Sequence, residues 1–78
     1  MEPAVAFGKV LRSLRQQAGL TQEQLGFEAD LRRTYISILE QGQQQPSLLT
    51  ILKLAKALGC GAPELIAAVE NRINAELS

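Results

Sequence analysis

Histidine is absent from this 78-residue sequence, and cysteine occurs once, at Cys60. With one thiol and no imidazole, neither an ordinary metal site nor a cysteine–histidine nucleophile is expected, and no cofactor is expected either. A lone cysteine excludes a disulfide within the chain and points to a reducing, cytoplasmic setting. Net charge is missing too: 8 basic residues cancel 8 acidic ones. No global field therefore draws the chain toward nucleic acid, a membrane or an acidic substrate, so any attraction must come from arranged charge. The longest wholly apolar run, residues 65–69, is too short to span a bilayer, and no signal-peptide pattern opens the chain. The carboxylates are dispersed, without a nucleophile–base pair, which argues against an enzyme.

Aromatic residues number only three, two Phe and one Tyr, and alternating strand patterns are lacking. Helical punctuation takes their place. The first helix is expected over residues 4–18, with Phe7, Val10, Leu11, Leu14 and Ala18 on one face and Gly19 ending it. Thr21 and Gln24 form a capping-box pattern that opens a second helix, with Leu25 and Ala29 inward, stopping near Asp30. The third is expected over residues 33–41, with Ile36 and Leu39 inward and Gly42 after it. Ser47 caps a fourth, whose Leu48, Ile51, Leu54, Ala55 and Leu58 are expected to pack, and Gly59 closes it. Pro63 begins a fifth that reaches residue 77. The expected architecture is all-α, a compact five-helix domain covering residues 1–78. A chain of this size buries only about 60% of its unfolded surface, so a partner surface would add to a marginal core.

The short connection between helices two and three, with small Gly26 and Ala29 permitting close approach, suggests a helix-turn-helix over residues 21–41. Here the sequence resembles a known family. "LTQEQLGFEADLRRTYISILEQG" followed by "PSLLTILKLAKALG" is similar to lambda-repressor-like helix-turn-helix domains, the XRE or Cro family. "FGKVLRSLRQQAG" is similar to that family's first helix, and "RTYIS" resembles the controller proteins of restriction–modification systems. Two departures stand out. Asp30 replaces the usual turn glycine, and Arg32 replaces the usual cap of helix three, a loss of typically about 1 kcal/mol. Arg32 is expected to offset this by reaching a phosphate.

The resemblance implies that helix three enters the major groove of double-stranded DNA. Its periodicity, read independently, sets Thr34, Ser37, Ile38 and Gln41 opposite the inward Ile36 and Leu39, with Arg33 and Tyr35 on the flanks. Arg33 suits a bidentate bond to a guanine edge, Thr34 and Ser37 a base or a phosphate, and Ile38 a thymine methyl. The bland alternatives are a solvated helix start for the arginines and an incidental exposed apolar residue at Ile38. Tyr35 is expected to pack partly and send its hydroxyl to a phosphate. The family implies a phosphate contact at Gln22, while Gln41, Gln43 and Gln44 are placed to reach the same strand. Glutamines release no counterions, so the dependence of affinity on salt should be shallow, with a log–log slope no steeper than about −6. The resemblance also implies that Arg15 and Glu40 form a structural ion pair joining helices one and three.

The fifth helix outruns what a four-helix core needs. Its stripe of Ile66, Val69, Ile73 and Leu77, rimmed by Asn71 and Asn74, suits either a homodimer or a tail folded back over Val5 and Phe7. The function this favours is sequence-specific DNA binding by a homodimeric transcriptional regulator, which would require a palindromic site. Two alternatives stay open: an antitoxin or accessory subunit holding a protein partner on the fifth helix, and an interaction module without DNA binding.

Overall fold

The second and fourth helices begin at side-chain caps. The computed structural model describes residues 1–77, and side chains through residue 76. Helix α1 spans Pro3–Gln17, α2 Gln22–Ala29, α3 Arg33–Glu40, α4 Leu48–Ala57 and α5 Ala62–Leu77. At the start of α2, Thr21 Oγ1 accepts from the Gln24 amide at 3.0 Å, while Gln24 Oε1 accepts from the Thr21 amide at 2.9 Å. Both halves of the expected capping box are therefore made. Ser47 caps α4 by accepting from the Thr50 amide at 3.1 Å. Arg32, in the cap position of α3, makes no side-chain cap bond. Gly19, Gly42 and Gly59 all take positive φ after their helices, and Asp30 does the same without being glycine, at φ 55°. Asp is among the few residues that adopt this conformation readily.

One core cluster draws on all five helices: Phe7, Val10 and Leu11; Leu25 and Ala29; Ile36 and Leu39; Leu54 and Ala55; Leu65 and Val69. Helix α3 is held between α1 and α2. Gly26 is essential to that arrangement, since a Cβ there would sit 2.6 Å from the Leu31 carbonyl oxygen. Gly8 of α1 does the same against the end of α3, where a Cβ would lie 2.7 Å from the Glu40 carbonyl oxygen.

Four expectations are corrected. Ala18 is exposed, because α1 has ended and the chain is turning. Leu48 was expected to pack and is instead 72% exposed, since the inward face of α4 is supplied by Thr50, Leu54 and Ala55. The fifth helix begins at Ala62, one residue before Pro63. Finally, α5 does not outrun its core as far as its stripe suggested: Val69 joins the core and Ile73 packs against it, with α1 alongside. Leu77, in the same stripe, lies outside the described side chains. Among the described residues, no helix is long and apolar enough to cross a membrane.

Candidate nucleic-acid interface

Burial of Ile36 and Leu39 fixes how α3 is rotated, and so decides which side chains face out. Arg33, Thr34 and Gln41 are exposed, while Ser37 and Ile38 are half-buried. Ile38 is not among the side chains packed against the core cluster. The Gln41 amide nitrogen donates to Ser37 Oγ at 3.0 Å, one helical turn away. These two groups, expected to meet DNA separately, therefore hold each other in place. Arg32 and Arg33 are both exposed, and among the described residues neither forms an ion pair or a side-chain hydrogen bond. Gln43 and Gln44 are exposed in the loop that follows α3.

Beside this face, α2 contributes Gln22, whose position is set by a buried carboxylate. Glu40, with its side chain only 4% exposed, receives Arg15 Nε at 2.6 Å and Arg15 Nη2 at 3.1 Å. Gln22 Nε2 donates to the same carboxylate at 3.1 Å. Arg15 spends a further nitrogen on the Leu20 carbonyl at 2.9 Å, tying the α1–α2 connection into the cluster. Hydrogen bonding to Glu40 raises the Arg15 guanidinium pKa above its ordinary value; burial opposes this, and the charge of Glu40 adds to it. One amide N–H of Gln22 is thereby engaged, leaving the second available to an outside acceptor. An open concavity between this cluster and α3 is lined by Arg15, Thr21, Gln22, Glu23, Gln24 and Arg33.

Tyr35 is half-buried against the core, and its hydroxyl lies 3.4 Å from Thr50 Oγ1 on α4. Periodicity gave the packing but could not reveal the partner. Two exposed apolar features were not expected from the sequence, one at Phe27 and one on α4, whereas Ile66 was already part of the expected fifth-helix stripe. Phe27, on α2, is 85% exposed. On α4, Leu48, Leu49 and Leu52 are all exposed, and on α5 so is Ile66. The α4 signal was present in "SLLTILKL", which carries more leucine than one inward stripe requires. A long ion pair of 3.8 Å between Lys53 and the exposed Asp30 spans α4 and the turn; such pairs add little stability.

These features define a helix-turn-helix protein whose third helix presents Arg33 and Thr34 outward, beside a Ser37 hydroxyl bonded to Gln41. Residues 11–65 match the helix-turn-helix family profile, and the chain belongs to that family, the XRE type, whose members are non-enzymatic transcription regulators. It is 44% identical over 61 residues to the control protein C.BamHI of Bacillus amyloliquefaciens, covering 77% of this chain and 75% of that one. The crystal structure of the restriction–modification controller protein C.AhdI from Aeromonas hydrophila is similar at 48% identity with a TM-score of 0.77. That match covers 80% of this chain and 94% of C.AhdI. The fold is also shared, at 23% identity and a TM-score of 0.85, with the controller protein C.Esp1396I, solved as a tetramer with its natural 35 base-pair operator. That match covers 94% of this chain and 96% of C.Esp1396I.

Proposed function

We propose that this chain is a sequence-specific DNA-binding transcriptional regulator of the controller-protein type, acting in the cytoplasm as a homodimer on a palindromic operator. The observation that carries this reading is the outward face of α3. Among the described residues, Arg33 and Thr34 have no side-chain partner there, on a helix locked at both ends into the rest of the fold. An unpaired guanidinium beside a hydroxyl matches the acceptor pattern of a guanine edge and its neighbouring phosphate. Arg33, Thr34, Ser37 and Ile38 read bases. Gln22, Arg32, Tyr35, Gln41, Gln43 and Gln44 meet the backbone.

The homodimer is supported by the apolar surface that the fold leaves uncovered. Val69 and Ile73 are satisfied within the chain, so the interface shifts to Leu48, Leu49 and Leu52 of α4, with Ile66 of α5. Three neighbouring exposed leucines on one helix are costly in water and suit an isologous contact, in which a two-fold axis presents the same patch from both sides. Kinship with control proteins supports the regulatory part of the reading. Selection of bound duplexes from a random pool, at about 0.15 M salt, tests it. An enriched palindrome with half-site centres ~34–36 Å apart is expected. No enrichment from a folded protein would overturn the proposal.

A further inference from the structure

Thr50 is a buried polar side chain, 6% exposed, in the first turn of α4 and away from the outward face of α3. A hydroxyl removed from water is costly unless it is hydrogen-bonded, so the direction of each of its bonds matters. Ser47 Oγ accepts from the Thr50 amide at 3.1 Å and donates to Thr50 Oγ1 at 3.0 Å. Thr50 Oγ1 has thus received one proton and has its own to give. The side-chain oxygen it faces is the hydroxyl of Tyr35, at 3.4 Å. Either hydroxyl of the Thr50–Tyr35 pair can donate; with the Ser47 proton already spent on Thr50, the direction that leaves the buried Thr50 proton with an acceptor runs from Thr50 to Tyr35. In that direction the phenol oxygen accepts on its Thr50 side and keeps its own proton for an acceptor outside the chain.

We propose that Thr50 is a positioning residue for DNA binding, orienting the Tyr35 phenol as a donor to a phosphate oxygen at the seam between α3 and α4. This rests on the DNA-binding reading above and adds to it a residue that never touches DNA. A phosphate fits better than a base edge, because Tyr35 lies on the flank of α3 and packs against the core, apart from the exposed Arg33 and Thr34. The 3.4 Å separation is long beside the usual hydroxyl spacing of about 2.7–2.8 Å. An anionic acceptor that draws the phenolic proton outward makes the Tyr35 oxygen a better acceptor, so the bond from Thr50 strengthens when DNA binds. Free of DNA the chain is loose; bound, it tightens.

A double-mutant cycle on the selected operator duplex tests this, using wild type, Tyr35→Phe, Thr50→Val and the double variant, with Thr50→Ser as the conservative control. Tyr35→Phe and Thr50→Val should each weaken operator binding about five- to tenfold, with the double variant no weaker than either. Thr50→Ser should bind within about twofold of wild type. A scrambled duplex should lose affinity by the same factor as the operator, because phosphate contacts carry no sequence information. If Thr50→Val fails to fold, Ser47→Gly removes the first donor while keeping most of the helix cap, and should show the same coupling to Tyr35→Phe. Effects that multiply in the double variant, unchanged binding by Thr50→Val, or unchanged binding by Tyr35→Phe would each overturn the proposal. In those cases a wild-type protein that still selects a palindrome leaves the DNA-binding reading intact. A wild type that selects nothing removes that reading itself.

Discussion

Replacing Glu40 by Gln keeps the shape of the side chain and removes only its charge. The carboxylate accepts two bonds from Arg15 and one from Gln22 while almost fully buried. An amide in its place has one acceptor oxygen and turns two N–H donors toward a guanidinium and another amide, so at least one donor pair faces another. Arg15, with its side chain 12% exposed, then keeps its charge without its counterion. Breaking one side of a buried pair costs about 3–5 kcal/mol. A chain of this size is stabilised by only about 4–12 kcal/mol in total. Urea unfolding should therefore show a large fall in midpoint with an unchanged slope. Because each kcal/mol moves the melting point of so small a chain by about 4–8 °C, Glu40→Gln should melt at least ~12 °C below wild type. Replacing the pair together, Arg15→Met with Glu40→Leu, should recover most of that loss, since apolar side chains need no counterion. A cost below about 1 kcal/mol for Glu40→Gln would refute the reasoning, because the pair would then behave as a solvent-screened surface contact.

Three further outcomes are expected. Gly8→Ala forces a Cβ onto the Leu39 and Glu40 carbonyls and should destabilise the chain by at least about 1–3 kcal/mol, read by thermal melting. Arg32→Ser supplies the missing cap of α3 and should raise stability by about 1 kcal/mol while weakening DNA binding; equal affinity would remove Arg32 from the phosphate contacts. Leu49→Glu should shift sedimentation from dimer toward monomer with the helical circular dichroism unchanged, and an intact dimer would remove the α4 patch from the interface.

The helices were legible because their ends are decided locally. Thr21 with Gln24, and Ser47 with the amide of Thr50, close hydrogen bonds within four residues, and such patterns survive any tertiary context. The rotation of α3 was legible for a similar reason, since Ile36 and Leu39 leave only one face to the core. What periodicity cannot say is which element covers an apolar stripe. It left open whether Val69 and Ile73 meet a second copy or fold back over helix one, against which α5 does pack, and it assigned Leu48 to a core already filled by Leu54 and Ala55. Gly8 reads as an ordinary helical glycine until the backbone of α3 is found against it. The connections from Gln22 to Glu40 and from Tyr35 to Thr50 span 18 and 15 residues, beyond the reach of any local pattern.

The central claim is that the free face of α3 reads bases, and Arg33 tests it most directly. Duplex selection run in parallel with wild type and Arg33→Ala should return the same palindrome, relaxed at one symmetry-related guanine in each half-site. The lost discrimination there should be about 1–3 kcal/mol, with other positions unchanged. A uniform fall in affinity with every base preference intact would place Arg33 on the phosphate backbone and contradict the account.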